Sequence, residues 1–137
     1  LNWTRKAMSQ ASNIISAVIA RGDDIVLAEC NVEKGNYPLV IREVLKKLPK
    51  NTAKIYSYST NYKFHCLNEN DLTYLCLTDS MFSNVKASKF LQEIKELFLN
   101  KFDEDRIMKA NAYAFDGQFQ PILREKIQYY TESSDDK

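Results

Sequence analysis

Two runs of the sequence are apolar at nearly every position, from Ile14 to Ala20 and from Leu72 to Thr78. A strand with one solvent-exposed face alternates apolar and polar residues, whereas a strand that is covered on both faces is apolar at nearly every position. The two runs therefore predict central strands of a sheet that carries helices on both sides. The chain has 137 residues, which is enough for one such domain to be stable alone.

Three further segments predict strands, and they are Ile25 to Ala28, Lys54 to Ser59 and Tyr62 to Leu67. The connectors are rich in turn-forming residues, so neighbouring strands are expected to be antiparallel. Gly22 in the turn from Arg21 to Asp24 can adopt a positive φ without steric cost, which favours a hairpin. The segment from Lys54 to Ser59 is half polar, which is typical of a strand at the edge of a sheet.

The residues from Asn36 to Leu48 predict the first helix, with Asn36 as N-cap, Pro38 in the first turn and Pro49 ending it. Leu39 falls on the opposite side from the apolar face. That face is broad and consists of Tyr37, Val40, Ile41, Val44, Leu45 and Leu48.

A second, long helix is expected to begin at Asp79 or Ser83 and to end near Phe102. A polar loop from Asp103 to Lys109 leads to a final helix. The apolar stripe of that helix consists of Phe119, Ile122, Leu123, Ile127 and Tyr130. The order ββαβββαα predicts an α+β fold, a five-stranded antiparallel sheet with one helix on one face and two on the other.

Charge and cysteine content exclude several classes of function. Nineteen basic residues nearly balance eighteen acidic ones and form no patch, so a nucleic-acid partner is not expected. No segment is apolar over the roughly 18 residues that a membrane span needs, and no secretory signal is visible. The three cysteines have no metal-ligand or disulfide spacing, which favours buried thiols in a reducing cytosol.

No motif indicates catalysis, a metal or a cofactor. His65 is the only histidine and is interpreted as a residue at a strand surface, since it and Cys66 point to opposite faces. Asp103 to Asp105 lack the alternating ligands and the glycine of a calcium loop. Arg21-Gly22-Asp23 spells an integrin-recognition tripeptide but is better explained as a hairpin turn. An enzyme is therefore not expected.

Five segments in order resemble the longin domains of the tetanus-insensitive VAMP branch of R-SNAREs. They are Asn13-Ile-Ile-Ser-Ala-Val-Ile-Ala-Arg-Gly22, Asn61-Tyr-Lys-Phe-His65, Leu72-Thr-Tyr-Leu-Cys-Leu-Thr-Asp79, Phe82 with Ala87-Ser-Lys-Phe-Leu-Gln-Glu-Ile94, and Tyr113-Ala114 with Asp116 and Phe119. The resemblance runs from about residue 13 to residue 132 and implies a profilin-like longin fold.

This resemblance implies a cytosolic N-terminal regulatory domain that precedes a SNARE motif and a C-terminal anchor, both absent here. The implied partners are its own SNARE motif in cis, Q-SNAREs through that motif, and an adaptor complex or an Arf GTPase-activating protein. The implied location is the cytoplasmic face of vesicle, endosomal, vacuolar or lysosomal membranes. The implied binding surface is a hydrophobic groove between the first helix and the third strand. Its candidate residues are Val40, Ile41, Val44, Leu48, Ile55 and Ser57, flanked by Tyr56 and Tyr58.

The expected organisation is a flexible arm over residues 1–12, the longin domain over 13–132, and the start of a linker over 133–137. Two alternatives remain close: a longin domain of a prenylated SNARE, and one of a non-SNARE trafficking subunit. A profilin-like domain of another assembly, such as a small-GTPase regulator, is more distant.

Overall fold

A computed structural model of the chain describes residues 13–133. The expected arm at residues 1–12 and all but the first residue of the expected linker lie outside this range. The strands are β1 (Ile14–Arg21), β2 (Ile25–Asn31), β3 (Thr52–Tyr58), β4 (Tyr62–Glu69) and β5 (Leu72–Asp79). The helices are α1 (Tyr37–Lys47), α2 (Asn84–Lys101), α3 (Glu104–Lys109) and α4 (Asp116–Glu132).

The five strands form one antiparallel sheet in the order β2-β1-β5-β4-β3. The prediction that β1 and β5 are central is confirmed, and nearly every residue of both strands is buried. The prediction that the third strand lies at an edge is also confirmed. Every residue of β3 is at least partly exposed, because this strand has a neighbour on one side only.

Helices cover both faces of the sheet, as predicted from the apolar central strands. Ile41 and Leu45 of α1 pack on one face, against a cluster that includes Val18, Phe64 and Leu77. On the other face, α2, α3 and α4 cover a larger cluster. That cluster includes Ala17, Ile19, Tyr74, Cys76, Phe90, Ile94, Phe98, Phe119 and Leu123. The α+β fold of one helix against two is therefore confirmed, with one short helix added.

The added helix is α3, which corrects the expectation of a polar loop from Asp103 to Lys109. The sequence is charged around a single apolar anchor, Ile107, which is buried in the core. Arg21 fixes the end of α3, because its Nη1 donates hydrogen bonds to the carbonyl oxygens of Ile107 and Ala110, at 2.7 and 2.8 Å. This Arg21 side chain is thus engaged inside the domain, and Gly22 takes the positive φ of 64° that the hairpin requires.

The two expected helix caps behave differently. Ser83 caps α2, because its hydroxyl accepts a hydrogen bond from the backbone N–H of Lys86. Asn36 occupies the N-cap position of α1, but its side chain makes no capping hydrogen bond.

Candidate partner-binding edge of the sheet

The outer edge of β3 is the part of the fold best suited to receive another chain. Among residues 13–133, β3 forms backbone hydrogen bonds with β4 alone. Half of the backbone N–H and C=O groups of an antiparallel edge strand point away from its only neighbour. Such groups form a template to which a further strand can be added.

The register of β3 on β4 divides the predicted site residues between the two faces of the sheet. Ile55 is opposite His65, which is opposite Cys76 in the cluster beneath α2. Tyr56 is opposite Phe64, which belongs to the cluster beneath α1. Because side chains alternate along a strand, Ile55 and Ser57 face α2 while Tyr56 and Tyr58 face α1. The eight residues thus line two surfaces instead of one groove.

The α1-side groove brings together most of the predicted residues. Tyr56 and Tyr58 pack with Val40, Val44 and Leu48 against the cluster beneath α1, and all five are partly buried. Ile41 is different, because only 1% of its surface is exposed, so it supports the groove without being available to a partner.

A row of tyrosines continues this groove towards the start of α1. The ring centroid of Tyr62 lies 6.1 Å from that of Tyr58 and 6.1 Å from that of Tyr37. A hydrogen bond with the Tyr62 hydroxyl, aided by burial, raises the pKa of Tyr37 to about 12. Rings that are apolar in the body and polar at the tip are well suited to partner contacts.

The α2-side cleft is a second depression, of about 350 Å³, between β3 and α2. Ile55 is 50% exposed at its edge, whereas Leu67 and Leu91 are buried within it. Ser88 and Gln92 of α2 form the opposite, polar wall. An exposed isoleucine above buried leucines gives this cleft an apolar floor that a side chain from an added strand could reach.

His65 lies beneath the α2-side cleft and is buried, with 3% of its surface exposed, which corrects its interpretation as a strand-surface residue. Its Nε2 forms a hydrogen bond with the Thr78 hydroxyl at 2.9 Å. Burial, with a smaller contribution from the charge of Lys63, lowers the pKa of His65 to about 4. The imidazole is therefore neutral at physiological pH.

The buried thiols complete the chemical description of this region. Cys30, Cys66 and Cys76 are free and buried. Burial raises the pKa of Cys66 to about 12 and raises that of Cys76, which lies opposite His65. Protonated thiols are poor nucleophiles, so His65 and Cys76 are neighbours in the core without forming a reactive pair.

Two features of this edge were not predicted from the sequence. Tyr37 was placed on the apolar face of α1, but its contact with Tyr62 was not foreseen. The α2-side cleft was also missed. The alternation of side chains in Lys54 to Ser59 was a usable signal for it, since it separates Ile55 from Tyr56.

The family comparison agrees with this geometry. The family model described as "Longin: Regulated-SNARE-like domain" matches residues 27–123. The chain belongs to the longin family. Longin domains of vesicle SNAREs are non-enzymatic trafficking modules.

Curated relatives place this longin domain in a narrower group. It is 34% identical over 122 residues to vesicle-associated membrane protein 7 of Gallus gallus, covering 88% of this chain and 54% of the relative. It is 29% identical over 130 residues to vesicle-associated membrane protein 7A of Dictyostelium discoideum, covering 95% and 58%. For vesicle-associated membrane protein 712 of Arabidopsis thaliana, the identity is 32% over 120 residues, covering 87% and 54%. The longin domain described here is therefore of this vesicle-SNARE type.

The chain spans little more than half the length of these relatives. In the range 13–133, no helix is long and apolar enough to cross a membrane.

Proposed function

We propose that this longin domain is the N-terminal regulatory domain of a vesicle R-SNARE and acts in vesicle-mediated transport and membrane fusion. It binds the SNARE motif of its own chain in cis, and it binds trafficking adaptors at the same place. The relatives that are named as vesicle-associated membrane proteins support this role, because their matched region is the longin domain and their remaining length can hold the motif.

The observation that carries the proposal is the open edge of β3 between two apolar surfaces. An extended segment that pairs with β3 would place alternate side chains in the α1-side groove and in the α2-side cleft. Tyr56 and Tyr58 are available to it on one face and Ile55 on the other. Backbone hydrogen bonds then contribute affinity, while the two surfaces select the side chains.

The mechanism is competitive occupancy. When the motif occupies the edge of β3, the population of chains able to pair with Q-SNAREs through that motif falls. Tethering in one chain gives the motif a high effective concentration, so a weak contact is sufficient. An adaptor complex or an Arf GTPase-activating protein that uses the same edge would compete with the motif or stabilise the closed form. These events would take place at the cytoplasmic face of vesicle, endosomal, vacuolar or lysosomal membranes.

The direct test is an NMR titration of the isotope-labelled chain with the SNARE motif that follows it in the whole protein. We expect the amide signals of β3, of Val40 to Leu48, and of Ser88 and Gln92 to shift. A titration that leaves all of these signals unchanged, while the domain remains folded, would contradict binding in cis.

Neighbouring residues of β3 provide matched variants for this titration. Tyr56→Asp alters the α1-side groove and Ile55→Asp alters the α2-side cleft, and both side chains are partly exposed, so the fold is expected to persist. We expect each change to weaken binding at least about tenfold, or roughly 1.4 kcal/mol, because a charge replaces a buried apolar contact. Leu39→Asp is the control, since Leu39 is 65% exposed and lies on the outward side of α1. Equal weakening by Leu39→Asp would show that the effect is not specific to the edge of β3.

A further inference from the structure

A cleft of about 280 Å³ lies between the ends of β4 and β5 that meet at their turn, the last turns of α2 and the short helix α3. We refer to it as the α3 cleft. Its apolar lining residues are Leu72, Leu99, Phe102, Ile107 and Met108. Its polar lining residues are Glu69, Asn70, Tyr74, Lys95 and Glu104. The α3 cleft shares no lining residue with the α2-side cleft, so its ligand does not depend on the proposed function.

Tyr74 is the most deeply buried polar residue of the α3 cleft, with 1% of its surface exposed. Its hydroxyl forms no hydrogen bond with a residue in the range 13–133. No side-chain oxygen or nitrogen in this range is both fully enclosed and without a partner. The small surface that Tyr74 exposes therefore includes its hydroxyl, and it opens into the cleft. Burial, with a smaller contribution from the charge of Glu69, raises the pKa of Tyr74, so the hydroxyl stays protonated.

Hydroxyl groups elsewhere in the domain are paired, which makes Tyr74 an exception. The Tyr130 hydroxyl donates to Oε1 of Glu93 at 2.6 Å, and the Thr78 hydroxyl forms a hydrogen bond with His65 at 2.9 Å. Buried tyrosine hydroxyls generally have a hydrogen-bond partner. A protonated hydroxyl can donate one hydrogen bond and accept others, so Tyr74 offers both functions to a polar atom that enters the cleft.

The mouth of the α3 cleft is acidic. Nζ of Lys95 lies 2.6 Å from Oε1 of Glu69, so these two charges neutralise each other. Glu104 is exposed and forms no ion pair with a residue in the described part of the chain. Glu96 and Asp103, which are next to Lys95 and Glu104 in the sequence, are exposed as well. Charged surroundings are unsuited to a broad apolar interface, so the cleft fits a small ligand with a positive charge.

We propose that the α3 cleft binds a small amphipathic amine. Its apolar body contacts Leu99 and Phe102, and its polar group forms a hydrogen bond with the Tyr74 hydroxyl. Its ammonium group lies beside the Glu104 carboxylate at the mouth. Small-molecule sites have volumes of about 300–1,000 Å³, and this cleft is near the lower limit, so the body of the ligand is about as large as one aromatic ring.

Tyramine is a suitable probe, because it carries a hydroxyl and an amine at opposite ends of an aromatic ring. We expect tyramine to cause saturable shifts of the amide NMR signals of Tyr74, Leu99, Glu104 and Ile107 in the labelled 137-residue chain. The dissociation constant should be on the order of 1 mM, as is usual for a molecule of this size. The matched probe 4-hydroxyphenylacetate has a carboxylate in place of the amine and should bind roughly fivefold more weakly, because Glu104 repels it.

Tyr74→Phe removes only the hydroxyl and should weaken tyramine binding about tenfold. The urea concentration at the midpoint of unfolding should stay unchanged, because no hydrogen bond within the domain is lost. Tyr130→Phe is the matched control. It removes the hydrogen bond to Glu93, so it should lower this midpoint and leave tyramine binding unchanged. Glu104→Gln should reduce the preference for tyramine over 4-hydroxyphenylacetate.

The inference is overturned if tyramine causes no saturable shift, or if the shifted signals lie along β3 and α1 instead of around the α3 cleft. It is equally overturned if Tyr74→Phe binds tyramine as tightly as the wild type does. A lower unfolding midpoint of Tyr74→Phe would also contradict it, since the hydroxyl would then have a partner within the domain. None of these results bears on the titration with the SNARE motif, which reports on other signals.

Discussion

The two edge strands of the sheet differ in their outward backbone groups, which are hydrogen-bonded along part of β2 and have no partner strand along β3 among the described residues. At the β2 edge, the segment from Tyr113 to Asp116 runs alongside the strand and forms hydrogen bonds with several of its outward backbone groups. The N–H groups of Tyr113 and Phe115 donate to the carbonyl oxygens of Val26 and Leu27, at 2.7 and 3.2 Å. At the β3 edge, no described residue plays this part.

An irregularity in β2 explains how two successive carbonyl groups can be reached from the same side. The pairing with β1 passes from Ala28 to Val26 and skips Leu27, which is a bulge. Side chains continue the cover, since the Glu29 N–H donates to Oδ1 of Asp116 at 3.0 Å and Gln120 donates to the Glu29 carbonyl oxygen. The β2 edge is thus closed by bonds of several kinds.

The difference between the edges shows which strand still has backbone groups available for pairing. An open edge strand presents unpaired backbone groups, which are a risk of aggregation unless they are covered or protected. The exposure of β3 is consistent with the proposed docking of a partner strand at this edge. Lys54 within β3 adds an exposed charge, a common device against unspecific pairing.

The largest expected effect comes from breaking the closed edge. Phe115 is fully buried, and its ring centroid lies 5.3 Å from that of Phe98 and 4.3 Å from that of Phe102. Phe115→Ala should lower the free energy of unfolding by about 3–5 kcal/mol, because it removes a buried ring and leaves a cavity. Urea unfolding measures the change. Tyr129→Ala is the control, because Tyr129 is 61% exposed and its loss should cost less than about 0.5 kcal/mol. Similar losses for both would show that the cover of β2 is weakly packed.

A smaller effect concerns the core beneath the open edge. Burial lowers the pKa of His65 from 6.5 to about 4, so between these values the unfolded state binds more protons than the folded state. The free energy of unfolding should therefore fall as the pH decreases from 6.5 to 4. Above pH 6.5 the imidazole is neutral in both states, so this loss is absent. The expected loss is on the order of 3 kcal/mol, since one pKa unit corresponds to about 1.4 kcal/mol and the pKa falls from 6.5 to about 4.

Urea unfolding of the wild type and of His65→Gln across this pH range isolates the contribution of the imidazole. The variant should show a shallower decline, because glutamine does not titrate. His65 is the only histidine, so its ring signals in NMR spectra report its pKa directly. Titration of these signals near pH 6.5 in the folded chain would contradict the effect of burial.

The period of the apolar residues was sufficient to predict most of the fold. The runs from Ile14 to Ala20 and from Leu72 to Thr78 indicated the central strands because covered strands have no polar face. Helix α3 was missed because a short charged segment held by Ile107 alone has no apolar stripe. One buried residue such as Ile107 does not predict a helix from the sequence, because the core that it packs against is visible only in the structure.

The site was predicted less completely, for a reason that concerns register. The groove residues were assigned by position in a family, and Ile55 and Tyr56 were put on one surface although neighbours on a strand face opposite ways. The closure of the β2 edge was beyond prediction. It depends on a positive φ of 62° at Tyr113 and on the bulge at Leu27, neither of which has a local sequence signal.

The smallest perturbation is amide hydrogen exchange of the unmodified chain, which compares the two edges directly. We expect slow exchange at Glu29, Tyr113 and Phe115, whose N–H groups are bonded across the β2 edge. Along β3, every second amide should exchange rapidly, because alternate N–H groups of an antiparallel edge strand lack a partner strand. Addition of the SNARE motif should slow those same amides if it pairs with β3 as a strand. Uniform protection of β3 in the free chain would mean that this edge is already covered, and the contrast on which the proposed site rests would disappear.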